Sequence, residues 1–320
     1  MSEISMSTFN YSSIAAPLHF SVPPQIPRPV CFPHNVTSIC SFRRDERTII
    51  FAGHEQGITM FEKGGVLGDD LRRSSDLQIS MVRRIHLIGD QQIYVGGNDG
   101  NIYSVKISGL LKLSPPLKVA QVQNKLLDFD VKGGHLIGLS ENSEISLFDL
   151  SGRSQANWFC GQAGRPKRVK FFDTTVGVAS HLLSVHDPRS GRLAASYWGP
   201  CGSGGVFTAL DSQAHEIFAG TSYGGLLVWD CRAPGRPLHT LQPHTGAVTD
   251  IFTQPGQVIS SSADGSIVRW DVRSEKVVRE TSAAGILCMS IEEIHHISNK
   301  LPNIVYATDT GLIASIKMID

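Results

Sequence analysis

The chain has 320 residues, with 29 Lys+Arg against 29 Asp+Glu, for a formal net charge of +0. That balance argues against a dedicated nucleic-acid binder and against a polybasic membrane-surface protein, both of which carry a basic excess. Hydrophobic residues make up 41% and charged residues only 18%, so a sizeable core is available; 31 glycines point to many tight turns.

In chain order, the first segment, MSEISMSTFNYSS, lacks the basic-then-apolar pattern of a secretory signal, and no apolar run reaches the ~18 residues of a membrane span. Residues 1–35 read as an extension: PLHFSV (17–22) is an extended piece, and PPQIPRP (23–29) a stiff connection into the domain 36–320. The Asn35-Val36-Thr37 sequon has no secretory context to support it. Cys31, Cys40, Cys160, Cys201, Cys231 and Cys288 are scattered without a C-x-x-C pair, as expected of buried free thiols in a reducing compartment. A cytosolic or nuclear protein is the starting expectation.

A repeat dominates the remainder. EIFAGTSYGGLLVWDCR (216–232) and QVISSSADGSIVRWDVR (257–273) share an apolar strand, a small-residue stretch, a Gly turn, an alternating strand and Trp-Asp. Weaker copies are RTIIFAGHEQGITMFEK (47–63), QQIYVGGNDGNIYSVKI (91–107), HLIGLSENSEISLFDLS (135–151), VGVASHLLSVHDPRS (176–190) and NIVYATDTGLIASIKMI (303–319). The Trp slot is filled in turn by Phe61, Val105, Phe148, His186, Trp229, Trp270 and Ser315, at intervals of about forty residues. Each interval holds further strand-like runs, among them SQANWF (154–159), VKFF (169–172), PLHTLQ (237–242), VTDIFTQ (248–254), KVVRET (276–281) and ILCMSIE (286–292). No segment sustains a capped 3.6-residue period. The expected fold is therefore all-β: a seven-bladed β-propeller, with Phe61, Phe148, Trp229 and Trp270 as blade anchors. The chain ends soon after the seventh Trp slot, so an N-terminal strand, with 17–22 as the candidate, is expected to complete the last blade and remove its exposed edge.

Four residues of the sixth repeat carry a specific expectation. His244 precedes the inner strand, Ser260 lies on the second strand, Asp264 in the Gly turn and Trp270 at the end of the third. This arrangement resembles the WD-repeat family, and the resemblance implies a buried hydrogen-bonded chain from Asp to His to Ser to Trp. A linked chain satisfies a buried indole N–H and imidazole together. A catalytic Ser-His-Asp reading requires exposure, and burial between strands is expected instead. Repeat five keeps Trp229-Asp230 but has Ala219 and Tyr223 at the Ser and Asp positions.

Other chemistry is sparse. Gly202-Ser203-Gly204-Gly205 lacks the acid that precedes a protease nucleophile and falls in a loop. Gly96-Gly97-Asn98-Asp99-Gly100 has no Lys-Ser/Thr and reads as a hairpin turn rather than a phosphate loop. His295-His296 would point to opposite faces of a strand, which disfavours a metal site. No catalytic residue, cofactor or metal is expected. Arg165, Lys167 and Arg168 form a basic cluster, either a solvated loop into an inner strand whose Val169 and Phe171 point inward, or a contact for an acidic partner or import factor. Residues 62–80 read as a long polar insertion, either a partner contact on a rigid scaffold or a disordered segment.

The run RVKFFDTTVGVASHLLSVHDPRSG (168–191), with GGLLVWDCRAPGRPLHTLQPHTGAVTDIF (224–252), ISSSADGSIVRWDVRS (259–274) and a divergent last blade, resembles the WD-repeat propeller nucleoporins of the Y-shaped outer-ring complex of the nuclear pore. The resemblance implies a non-catalytic scaffold at the nuclear envelope that docks on α-solenoid nucleoporins. It implies support for protein and mRNA transport, a link to kinetochores, and a single propeller within a hetero-oligomer; no direct nucleic-acid contact or membrane insertion is expected. No Phe-Gly dipeptide occurs, as expected of a scaffold rather than a barrier subunit. A second resemblance rests on two W-D-x-R motifs, ending in Arg232 and Arg273, with His186-Asp187-Pro188-Arg189 a degenerate third. These resemble the motifs of substrate receptors for cullin-4 ubiquitin ligases, which implies that the Arg contacts the linker subunit; an assembly or chromatin adaptor is the remaining alternative.

Overall fold

The computed structural model describes residues 30–31, 35–44, 47–64, 72–89, 91–108, 112–161, 164–198, 205–233, 235–271, 277–281, 284–291 and 303–317. Among these residues there is no helix, and the strands form seven four-stranded antiparallel sheets. The sheets are the blades of a seven-bladed β-propeller. Their innermost strands are Ser38–Arg44, Val82–Ile88, Leu126–Lys132, Arg168–Phe172, Phe207–Gln213, Val248–Gln254 and Ile286–Ile291.

Blade six shows how sequence makes one unit. After the innermost strand, the chain turns at Pro255-Gly256 into Gln257–Ser262, then through Ala263-Asp264-Gly265 into Ser266–Asp271, and ends in Val277–Thr281. Gly265 adopts φ 83°, a left-handed conformation that suits glycine. Middle strands are covered on both faces by neighbouring blades, so Arg47–His54 is buried from Thr48 onward and shows little polar alternation. Alternation returns in outer strands such as Ser154–Phe159, where one face meets water.

Apolar side chains fill the spaces between blades. Seven clusters account for seven interfaces; for example, Ile49 and Phe51 of blade one meet Val82, Ile85 and Val95 of blade two, while Ile50 and Ala52 meet Val305 and Ala307 of blade seven. Each fully buried aliphatic or aromatic side chain contributes about 1.5–3 kcal/mol, and because the clusters lie between blades, most of that stabilisation is shared by neighbours. Small residues permit the close approach: a Cβ on Gly220 would fall 2.4 Å from Val248 Cγ1 of the next blade.

Blade seven contains strands from both ends of the chain. Its order places Val30–Cys31 outermost, with Val30 opposite Ile313 and Cys31 opposite Leu312. An N-terminal strand therefore closes the ring, but it sits at 30–31, after the Pro-rich stretch rather than before it. The expected closing strand 17–22 and connection 23–29 lie outside the described residues. The insertion at 62–80 is in part regular, because Arg72–Gln78 is the outer strand of blade one. Residues 65–71 lie outside the described set.

Each blade has an upper end, carrying the turn between its second and third strands and the crossover to the next blade. The lower end carries its first and third hairpin turns. Cys40, Cys160 and Cys288 are buried free thiols as expected, whereas Cys231 is exposed in a lower turn.

Candidate functional site

The polar constellation of blade six is buried. His244 and Ser260 are each 1% exposed, so water cannot reach the hydroxyl that a hydrolytic reading would make the nucleophile. Asp264 Oδ1 lies 3.7 Å from His244 Nδ1, and the Ser266 hydroxyl stands between them. It donates to Asp264 Oδ1 at 2.6 Å and lies 2.6 Å from His244 Nδ1. With its own proton committed to the carboxylate, Ser266 accepts from Nδ1–H, and Nε2 on the far side of the ring lies 2.8 Å from Ser260 Oγ. The direct Asp-to-His step implied by the family resemblance is thus relayed through a serine that sequence reasoning missed. The described chain stops at Ser260; Trp270 packs edge-on against His239 at 5.4 Å. Partial burial opposes the charge of Asp264, but hydrogen bonds from Ser266 and Thr245 hold its carboxyl well below the ordinary carboxylate range.

The anchors share one geometry, each facing the preceding blade. Phe61 packs with Cys288 and Val305, Phe148 with Tyr94 and Ile102, Trp229 with Phe172 and Leu183, and Trp270 with Phe218 and Val228. Trp229 is wrapped edge-on by Tyr197 and Phe207, each 5.8 Å away, and its Nε1 has no hydrogen-bond partner. Ala219, in the place of Ser260, offers none. The seventh anchor differs from expectation by one residue. Ile316 faces Ile304 across the strands and packs toward blade six, whereas Ser315 points the other way and accepts from Lys63 Nζ of blade one at 2.5 Å.

The largest set of functional-looking side chains lines the central channel and was not anticipated. A cavity of about 220 Å³ touches the inner strands of blades one, two, four, six and seven, which places it on the ring axis. Arg84 and His86, Asp128 and Asp130, and Arg168 and Lys170 are i, i+2 pairs, so each pair shares one face of its strand. Asp211 and Asp250 come from blades five and six. Arg84 Nη2 lies 3.0 Å from Asp250 Oδ1, with its Nε 3.9 Å from Asp128, and Lys170 Nζ is 3.4 Å from Asp211. Burial opposes the charge on Arg84, but Asp250 and Asp128 raise its pKa; Asp211 does the same for Lys170. Burial also raises Asp250, yet Arg84 and Arg168 hold it below the ordinary carboxylate value.

These side chains also stitch the ring together. An innermost strand has no strand on its channel side, so its outward N–H and C=O groups need other partners. Asp128 Oδ2 accepts from Val169 N at 2.9 Å, Asp130 Oδ2 from Phe171 N at 2.8 Å, Asp211 Oδ2 from Thr253 N at 2.9 Å, and Ser38 Oγ from Ile85 N at 3.0 Å. His86 Nε2 donates to the Phe129 carbonyl at 2.7 Å, which leaves Nδ1 3.6 Å from Asp130. Desolvation lowers the pKa of His86, helped by Arg84 and Lys170, against the opposing pull of Asp130 and Asp128. Among the described residues no group of three or more His, Cys, Asp and Glu is placed to hold a metal ion.

The expected contact residues are not brought together. Arg165 and Lys167 are exposed at the upper end between blades three and four, while Arg168 turns into the channel and its Nη2 donates to the Thr249 carbonyl at 3.3 Å. Val169 and Phe171 are buried in the interface with blade three. Arg232 is at the lower end of blade five, where its guanidinium folds onto its own Asp230 at 2.7 Å and helps hold that carboxyl at about 2. Arg273 lies outside the described residues.

Residues 235–271 match the family model described as WD domain, G-beta repeat. Human diphthine methyltransferase is 28% identical over 142 residues, which cover 42% of this chain and 31% of that protein. The ribosome biogenesis protein WDR12 homolog of Drosophila persimilis is 27% identical over 146 residues, covering 45% of this chain and 31% of that protein. The chain thus spans about a third of the length of both curated relatives. The computationally designed Ika8 protein superposes with a TM-score of 0.63 over 90% of this chain and 98% of its own at 16% identity, a likeness of fold alone.

Proposed function

Taking the chain as a seven-bladed propeller with a WD repeat, we propose that it is a non-catalytic scaffold and a structural subunit of the outer-ring complex of the nuclear pore, at the nuclear envelope. The observation that carries the scaffold reading is the use made of its polar residues. The Ser-His-Asp constellation is sealed inside blade six, and the channel carboxylates are spent on cations and backbone N–H groups of neighbouring blades. Such a ring is a rigid body with surfaces to offer. The assignment to the pore is supported by the sequence resemblance over 168–191, 224–252 and 259–274.

Tagging the protein at its native locus tests this. A punctate nuclear rim, and recovery of α-solenoid outer-ring nucleoporins by affinity purification, is the expected result; diffuse signal with no such recovery overturns the pore assignment. A second reading, an assembly factor in ribosome biogenesis, is favoured by the likeness to the WDR12 homolog and predicts nucleolar signal and pre-ribosomal proteins instead. The W-D-x-R reading predicts recovery of a ligase linker subunit that is lost on Arg232→Ala. A methyltransferase reading, prompted by the human relative's name, predicts methyl transfer from a labelled donor by the purified chain.

A further inference from the structure

The two ends of the propeller present different chemistry. The exposed large aromatic residues Phe159, Trp198 and Tyr223 are all at the upper end, whereas the exposed aliphatics, from Ile88 and Leu117 to Val277, are all at the lower end. The aliphatics concentrate where outer strands begin: Leu193 is 47% exposed in blade four and Leu238 55% in blade five, with Leu150 at the equivalent turn of blade three.

Arginines accompany them. Arg153 follows Leu150, Arg189 and Arg192 precede Leu193, and Arg236 precedes Leu238; all four are exposed. Every one of these turns also contains an aspartate, but the turn itself uses it. Asp149 accepts from Ser151 N at 2.9 Å and Arg153 N at 3.0 Å, Asp187 from Arg189 N at 2.9 Å and the Ser190 hydroxyl at 2.7 Å, and Asp230 from Arg232 N at 2.9 Å. Arg232 alone spends its guanidinium on its aspartate. The side chains of Arg153, Arg189, Arg192 and Arg236 make no hydrogen bond or ion pair among the described residues. The lower rim of three adjacent blades therefore carries an arc of exposed guanidiniums beside exposed aliphatics, with Arg153 and Arg189 reaching their turn aspartates only through longer-range attraction.

We infer that the lower rim of blades three to five is a docking surface for an amphipathic acidic segment of a partner protein, which places carboxylates on the guanidiniums and apolar side chains on Leu150, Leu193 and Leu238. Planar guanidiniums match carboxylates bidentately, and exposed aliphatics beside them repay burial. A polyphosphate chain fits worse, because it has nothing to place on the exposed leucines. This inference rests on the scaffold reading and adds the surface through which it acts.

The test uses the full chain and a fluorescein-labelled helical peptide of glutamate and leucine, followed by fluorescence anisotropy at two salt concentrations. Wild type should bind with an affinity that falls as salt rises. Arg189→Glu/Arg192→Glu should weaken binding at least tenfold, and Leu193→Ser/Leu238→Ser should weaken it at constant salt dependence. Lys106→Glu, at the lower end of blade two, should leave it unchanged. Unchanged melting temperatures verify that the variants are folded. Absent binding by wild type, equal binding by both rim variants, or equally tight binding of single-stranded oligouridylate overturns the inference. The scaffold reading is scored separately by affinity purification. Recovery of the assembly by wild type and rim variants alike, with no peptide binding, sinks the rim and spares the scaffold; no recovery by wild type sinks the scaffold whatever the peptide does.

Discussion

Asp211→Ala is the most direct probe of the channel as a ring fastener. Asp211 is 7% exposed; its Oδ2 accepts from both the N–H and the hydroxyl of Thr253 at 2.9 Å, and its Oδ1 lies 3.4 Å from Lys170 Nζ. Truncation strands the Thr253 N–H, at a cost of about 1–3 kcal/mol, and removes a charged acceptor whose bonds contribute about 1.5–3 kcal/mol each. Lys170 keeps 30% of its side chain in water, so its lost ion pair adds only about 1 kcal/mol. These terms overlap, and the total is about 3–5 kcal/mol, as for other broken buried pairs. An unfolding entropy of about 2.1 cal/mol/K per residue gives about 0.7 kcal/mol/K for this chain, so the melting temperature should fall by about 4–7 °C. Asp211→Asn, which keeps an acceptor for Thr253, should lose about half as much. Adding Lys170→Met to Asp211→Ala should recover about 1 kcal/mol, because the ammonium is no longer left opposite an empty site. Urea unfolding and calorimetry read all three variants. An Asp211→Ala protein within about 1 kcal/mol of wild type, or a double variant no better than the single, would refute the reasoning.

The remaining predictions address the anchors and the channel histidine. Trp270→Ala should cost about 3–5 kcal/mol and Ile316→Ala about 2 kcal/mol, with Ser315→Ala below about 1 kcal/mol; urea midpoints that rank Ser315 above Ile316 would contradict the register. Trp229→Phe removes an indole N–H that has no partner, so it should cost only about 1–2 kcal/mol, against about 3–5 kcal/mol for Trp229→Ala. His86 has its folded pKa lowered from 6.5, so the unfolded chain takes up the proton first. The contribution of His86 to stability is present above about pH 6.5 and is lost as the pH falls toward the folded pKa, by at most about 1.4 kcal/mol per pH unit. His86→Gln should flatten the acid side of the stability–pH curve measured by urea midpoints between pH 7.5 and 5; an unchanged slope would move the proton linkage elsewhere.

The ring was legible in the sequence because its repeat is built from local signals. Gly turns such as Asp264-Gly265 punctuate it, and Trp229 and Trp270 fix the register of the third strands. Where no large anchor exists the register slipped: GLIASIKM presents alternating small and aliphatic residues, and pairing with Asn303–Thr308 selects Ile316 over Ser315. The channel stayed hidden for a different reason. Within one strand, Arg84-x-His86 or Asp128-x-Asp130 looks like an ordinary solvent face, and its meaning appears only when seven inner strands converge on one axis. The i, i+2 charge pairs at the starts of three successive repeats were the signal to use. PLHFSV (17–22) is an extended piece without a pairing signal of its own, whereas a short connection into Ser38 sets the closing strand at Val30–Cys31. The W-D-x-R spacing itself puts a carboxylate two residues from Arg232, and that carboxylate captures its guanidinium.

The pairing of Val30 with Ile313 has a consequence for synthesis. As the nascent chain leaves the ribosome, each of the first six sheets can assemble from its own hairpins, but the stretch around Val30 waits until Asn303–Lys317 has emerged. Until those strands emerge the molecule is an open spiral whose first and last blades each leave an apolar flank uncovered. A stop codon before residue 303 would leave that spiral with no clasp, because both strands that hold the stretch around Val30 in blade seven would be missing.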